Sequence, residues 1–211
     1  DATVSAEDAD GDGFSACDGD CDDTDDGFFP VDTDGDGVED YCGWLDLTAG
    51  HFHTCGIKSS GVIDCWGDDS YGQCQPPNVA FESMSAGKYH GCGVTTGGLV
   101  ECWGYDWYGQ AQAPSGVFLS VSSGSFHNCG LNVNSEIECW GDDEDDQVSD
   151  APKGTFVQVT AGMEHACALD ASGAVSCWGW NHHGQANSPR GSFSHVSAHT
   201  SNSSCAVRTT G

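Results

Sequence analysis

The chain has 211 residues, with 33 Asp and Glu against 5 Lys and Arg, giving a formal net charge of -28. No basic stripe is present to release counterions from nucleic acid, and no run is long and apolar enough to cross a bilayer, so neither nucleic acid nor membrane insertion is expected. Gly is abundant, Met is scarce and no sustained 3.6-residue apolar period appears, which points to an all-β fold. With no signal peptide ahead of Asp1, the chain is expected to be a mature form.

Residues 1–43 hold 16 of the acidic residues and no Lys or Arg. Asp8, Asp10 and Asp12 followed by Gly13 fit D-x-D-x-D-G, and Asp32, Asp34 and Asp36 followed by Gly37 fit it again. This is the first half of an EF-hand loop, in which alternate carboxylates converge on one centre and Gly permits the sharp turn. Position twelve of each loop is Gly, at Gly19 and Gly43, so the bidentate Glu is missing, as are flanking helices. The intervening CDGDCDDTDD adds Asp18, Asp20, Asp22, Asp23, Asp25 and Asp26, with Cys17 and Cys21 expected to bridge, and Asp40 is a further candidate ligand. Together these motifs resemble the calcium-dependent Asp-rich modules of thrombospondin type 3 repeats and of bacterial surface proteins with a C-x-G-D-C-D-D signature. Hard carboxylate oxygens suit Ca2+ rather than zinc or copper. The competing reading is a solvated acidic tail. If calcium binds, it acts as a folding ligand, because without it this many like charges repel.

From residue 44 the chain repeats. HTCGIKSSGVIDCWGDDSYGQ from His53 returns as HGCGVTTGGLVECWGYDWYGQ from His90, as HNCGLNVNSEIECWGDDEDDQ from His127 and as HACALDASGAVSCWGWNHHGQ from His165. The period is 37 to 38 residues, and a partial copy, SSCAVRTTG, begins at Ser203. A period of this length marks a repeat architecture whose units bury their apolar faces against neighbours. Two domains follow: an Asp-rich segment, 1–43, and a β-repeat domain, 44–211.

Thirteen cysteines point to a disulfide framework in an oxidising compartment. Zinc is the competing reading, but each unit offers only its own pair of cysteines. Pairing Cys167 opposite Cys177 also pairs Leu169 with Val175 and Asp170 with Ala174, leaving Ala171, Ser172 and Gly173 as a three-residue loop. Such a loop wants a left-handed residue last, which Gly173 supplies. Gly61 and Gly98 do the same in the first two units, whereas Val133-Asn134-Ser135 departs from the rule and is expected to turn less regularly. Opposed cysteines in a non-hydrogen-bonded pair suit a disulfide. The expected bridges are Cys55–Cys65, Cys92–Cys102, Cys129–Cys139 and Cys167–Cys177.

Trp66, Trp103, Trp140 and Trp178 follow the second cysteine and so point to the opposite strand face, where packing between units is expected and a ligand-stacking ladder is the alternative. His53, His90, His127 and His165 recur in register and are read as hydrogen-bonded structural residues, a metal ring being the sharper alternative. These features, aromatic-x-x-V-x-A-G-x-x-H-x-C, then C-W-G, then G-Q, resemble the RCC1-like β-propeller repeat in its cysteine-stapled, secreted form. The resemblance implies four-stranded blades around an axis, in four full copies plus partial units, but it does not carry over nucleotide exchange.

No G-x-S-x-G, H-E-x-x-H or phosphate-cradling loop is present, so catalysis is not expected. The leading expectation is a secreted, calcium-binding structural subunit at the cell surface or outside the cell, self-associating head to tail as a filament. The alternative is a monomeric propeller that binds a protein or glycan through loops such as DDEDDQ and YDWYGQ. Cys205 has no C-W-G partner downstream; Cys42, in GVEDYCGW, could pair with it within or between chains, or could bridge to Cys74 instead.

Overall fold

The computed structural model describes residues 44–198 and 202–209. The chain divides between Leu45 and Asp46, and every strand among the described residues lies in the second unit. That unit is all-β. β1 (Asp46–Ala49), β2 (His53–Ile57) and β3 (Ile63–Gly67) form one antiparallel sheet. The pattern repeats as β4 (Phe81–Ala86), β5 (His90–Thr95), β6 (Val100–Gly104); β7 (Phe118–Ser123), β8 (His127–Asn132), β9 (Ile137–Gly141); and β10 (Gln158–Ala161), β11 (His165–Leu169), β12 (Val175–Gly179). β13 (Phe193–Ala198) and β14 (Ser204–Arg208) form a two-stranded sheet.

Each complete blade therefore has three strands rather than the four that the resemblance implied. Where a fourth would lie, the chain after Trp-Gly closes on itself instead. In the second blade Asp106 Oδ1 accepts from the Ala111 amide at 2.8 Å and Oδ2 from Gln112 Nε2 at 3.0 Å, which holds a compact loop. Asp69 holds the first blade's loop in the same way, through the Cys74 amide and Gln75 Nε2.

The middle strand of each blade is covered on both faces, so β5, β8 and β11 are almost wholly buried. The third strand alternates: in β6, Val100 and Trp103 are buried while Glu101 is exposed. Hydrophobic cores form between successive blades, not within them. Cys55, Ile57 and Ile63 of the first meet Phe81, Met84 and Trp103 of the second, and Cys92, Val94 and Val100 of the second meet Phe118 and Trp140 of the third. Burial of this kind requires a neighbour, which is why the unit is repeated.

The register brings Cys55 opposite Cys65, Cys92 opposite Cys102, Cys129 opposite Cys139 and Cys167 opposite Cys177. All four pairs are disulfides with Cα atoms 4.0 to 4.1 Å apart. Each constrains a short loop of the unfolded chain and contributes roughly 2 to 4 kcal/mol. The third hairpin corrects the sequence reading. Ser135 takes the left-handed conformation, φ 62°, and the same two backbone bonds close the turn, Asn132 to Glu136 at 3.0 Å and Ser135 to Asn132 at 2.9 Å. Asn132 Oδ1 also accepts from the amides of Asn134 and Glu136, as Asp170 Oδ1 does from Ser172 and Ala174 in the fourth blade. A side chain that caps its own turn holds Ser135 in the regular geometry.

Among the described residues Cys74 and Cys205 are free thiols. Cys42 and the Cys17–Cys21 pair lie outside the described residues.

Candidate functional site: an aromatic face on the blade turns

The buried polar residues explain the refrain. Each recurrent Gln accepts a backbone N–H two residues upstream through its side-chain oxygen, as Gln110 does from Tyr108 at 2.9 Å. Its main-chain carbonyl accepts the indole N–H of the next blade: Trp103 to Gln73 at 2.9 Å, Trp140 to Gln110 at 3.0 Å and Trp178 to Gln147 at 2.9 Å. Packing between units, the expected role, thus holds for these three. Trp66 stands 47% exposed.

The four histidines are buried. Burial pushes all four below the usual 6.5, His90 to about 4 and His127 to about 3, so the rings are neutral at pH 7. Two of them reach the residue that follows the His position of the next blade. His90 Nε2 meets Asn128 Oδ1 at 2.8 Å, and His165 Nε2 meets Ser204 Oγ at 2.7 Å. For His53 and His127 that residue is Gly91 or Ala166, which offers no side-chain acceptor, and both ring nitrogens lack a hydrogen-bond partner. The hydrogen-bonded structural role therefore fits two of the four. Among the described residues no three His, Cys, Asp or Glu converge to hold a metal ion.

Just ahead of each His, in the turn between the first two strands, stands Phe52, Tyr89, Phe126 or Glu164. The loop after Trp-Gly is zipped to this turn in every complete blade: Asp68 N–H donates to the Phe52 carbonyl at 2.9 Å, Tyr105 to Tyr89 at 2.9 Å, Asp142 to Phe126 at 2.9 Å and Trp180 to Glu164 at 2.8 Å. The glycine of Trp-Gly makes this possible. At Gly104, φ is 94° and a Cβ would lie 2.7 Å from the Tyr89 oxygen.

Turns and loops thereby share one end of the blades and bring their rings together. Centroids lie 6.0 Å apart for Phe52 and Tyr89, 5.2 Å for Tyr71 and Tyr89, 5.0 Å for Tyr71 and Tyr105, 6.2 Å for Tyr89 and Phe126, and 5.5 Å for Tyr108 and Phe126. Phe52, Tyr71, Trp107 and Tyr108 are exposed. A contiguous aromatic face spanning three blades is the kind of surface that marks an interaction site. Beyond it the surface turns acidic, through the third blade's loop after Trp-Gly and Glu164 of the fourth blade's turn. Desolvation, with Glu144 and Asp145 nearby, raises the Asp142 carboxyl above its ordinary range; desolvation, with Asp145 and Asp142, does the same for Glu164.

The sequence reading singled out YDWYGQ and DDEDDQ, and both loops lie here. It missed Phe52, Tyr89 and Phe126, although an aromatic directly before the His in three of four copies was the available signal. The candidate calcium ligands Asp8, Asp10, Asp12, Asp18, Asp20, Asp22, Asp23, Asp25, Asp32, Asp34, Asp36 and Asp40 all lie outside the described residues.

Residues 44–73 and 156–185 match the regulator of chromosome condensation (RCC1) repeat. The blades are of the RCC1 type. The ectodomain of the Physcomitrella patens receptor kinase CR4 superposes with a TM-score of 0.65 at 33% identity, over 74% of this chain and 47% of that one. The CRINKLY WD40 ectodomain of the Arabidopsis thaliana receptor kinase ACR4 gives 0.64 at 26%, over 82% and 62%. Yeast RCC1 (Prp20), solved bound to Kap60, gives 0.65 at 14%, over 78% and 54%, and shares the fold. The chain thus spans about half to three fifths of the length of these RCC1-like structures. No curated protein sequence matches it.

Proposed function

We propose that this chain is an extracellular binding module, stapled by disulfides, that docks a protein or glycan partner on the aromatic face of its RCC1-type blades and takes Ca2+ in its acidic segment. The observation that carries the reading is the run of rings from Phe52 through Tyr89 to Phe126, flanked by exposed Tyr71 and Tyr108. An extracellular setting is supported by the four disulfides and by the likeness to two receptor ectodomains. The role requires no catalytic step. Probing glycan and peptide arrays with the native chain and with a Tyr71→Ala/Tyr108→Ala variant tests it. A ligand retained by the native chain and lost by the variant is expected; identical patterns for the two would overturn the reading.

A second reading, a self-associating subunit of an extracellular filament, is favoured by β14. Cys205 on this strand is free and exposed, at the position where the other blades carry the first cysteine of the staple. A 220 Å³ pocket beside it, lined by Val175, Phe193, Val196 and Arg208 among others, corresponds to the place where Trp103 sits between the first two blades. A C-W-G-like strand would fill it and form the staple; in the self-association reading that strand is the Cys42 segment of a neighbouring chain. Non-reducing electrophoresis would then show a ladder that collapses in Cys205→Ser; a single monomer band for both chains would defeat this reading.

A further inference from the structure

We propose that the aromatic face takes an extended basic peptide, with Arg or Lys at alternate positions lying on successive rings and their charges set against the flanking carboxylates. This rests on the reading of that face as a docking surface. Lys88 provides an internal precedent. Its Nζ stands 5.3 Å from the Tyr89 centroid and 5.1 Å from that of Phe126, so ring faces on this surface are presented to a cation. A cation within about 6 Å of a ring centroid is attracted by the ring quadrupole.

Charge selects the same partner. Lys88 is the only Lys or Arg in the four turns before the His and in the stretches from Trp-Gly to the recurrent Gln, which also carry Asp68, Asp106, Asp142, Glu144, Asp145 and Glu164. The acids do not gather into a metal site among the described residues. Spread along the face, they match a string of cations better than a single ion. Desolvation first, and the neighbouring carboxylates second, hold the Asp142 and Glu164 carboxyls high, and a string of cations would offset the second cause.

Spacing then sets the pattern. The equivalent rings of successive blades, Phe52 to Tyr89 and Tyr89 to Phe126, are 6.0 and 6.2 Å apart. Side chains on one side of an extended strand recur every second residue, about 6.4 to 6.8 Å. Every second residue of an extended peptide therefore meets a new ring. Arginine should bind better than lysine, because its planar guanidinium stacks on an aromatic face and is more weakly hydrated.

The test is fluorescence anisotropy with the full chain and labelled peptides at physiological salt. The probes are Gly-Arg-Ser-Arg-Ser-Arg-Gly, its Lys counterpart, and a block peptide of the same composition with its arginines adjacent. The alternating Arg peptide should bind tightest, and Tyr71→Ala/Tyr108→Ala should weaken it about tenfold or more. Glu101→Gln, at the hairpin end of β6, should leave it unchanged. Equal affinity for the native and ring-truncated chains, or for alternating and block peptides, would mean that net charge alone attracts the probe and would overturn the proposal. Chito- and cello-oligosaccharides are measured alongside. If a sugar binds in a ring-dependent way while the Arg peptide does not, the basic-peptide proposal falls and the docking face stands. If ring truncation changes neither, both fall.

Discussion

The indole N–H of Trp140 donates to the main-chain oxygen of Gln110, 30 residues earlier and in the preceding blade, at 3.0 Å. The same oxygen accepts Asn128 Nδ2 at 2.8 Å, and Asn128 Oδ1 in turn meets His90. One carbonyl thus joins the Gln of one unit to the Trp and the His-flanking residue of the next, and blade stacking is as much a polar as an apolar matter.

Truncating that Trp should therefore be costly. Trp140→Ala removes a buried ring packed against Phe118 and Val100 and leaves one donor fewer on Gln110, for an expected loss of about 3 to 5 kcal/mol. Trp66→Ala, at a half-exposed ring, should cost much less. Chemical denaturation of the two variants checks the contrast; equal losses would mean that the interblade slot is not what holds the tryptophans.

The buried histidines make stability depend on pH. Their pKa values are lower in the folded chain than the usual 6.5, so the unfolded chain binds protons first as pH falls. Stability is full above about 6.5 and declines through the window down to about 4 for His90 and about 3 for His127. Each fully buried ring contributes a slope of roughly 1.4 kcal/mol per pH unit inside that window. His127→Leu should flatten the slope at little cost, since neither ring nitrogen of His127 has a hydrogen-bond partner. His90→Leu should cost about 1 to 3 kcal/mol even at pH 7, because it takes a partner from Asn128 Oδ1. Thermal melts between pH 4 and 8 would separate the two.

Much of this could be read from the sequence because the repeat states each rule several times. The Cys–Cys register, the Gly-ended hairpin loops and the interblade place of Trp103, Trp140 and Trp178 follow from strand alternation alone. The fate of a given Gln does not, because it depends on one neighbour. Gln73 and Gln147 donate through Nε2 to Asp68 and Asp142, the residue just after Trp-Gly, at 2.8 and 3.0 Å. In the second and fourth blades that residue is Tyr105 or Trp180, and Nε2 of Gln110 and Gln185 has no partner. The aromatic face escaped for a related reason. Its rings come from two loops of each blade, separated in sequence by the whole hairpin, and only the backbone bonds between turn and loop bring them together.

The third hairpin offers a stabilising change. Ser135 pays for its left-handed backbone where Gly61, Gly98 and Gly173 do not. Ser135→Gly should relieve about 1 to 2 kcal/mol of strain and lose about 0.4 to 1 to the freer unfolded chain, for a small net gain. A melting temperature raised by a degree or more is expected; a lowered one would show that the Asn132 cap had already removed the strain.

Calcium binding by residues 1–43 is the prediction on which the acidic segment's role depends. Sixteen carboxylates with no Lys or Arg between them repel one another, and two D-x-D-x-D-G runs centred on Asp10 and Asp34 are spaced to turn that repulsion into coordination. Neither run carries the bidentate Glu of an EF-hand, so affinity should resemble that of weak extracellular modules, about 10⁻⁴ to 10⁻³ M, rather than that of cytosolic sensors. Titration calorimetry of the full chain should show calcium uptake in that range, abolished in Asp10→Asn/Asp34→Asn, with magnesium far weaker. Chelation should open residues 1–43 to proteolysis while the stapled blades persist, since four disulfides hold them and among the described residues no three His, Cys, Asp or Glu converge to hold a metal ion. Absence of heat at millimolar calcium, or a digestion pattern indifferent to chelator, would reduce the segment to a solvated acidic tail.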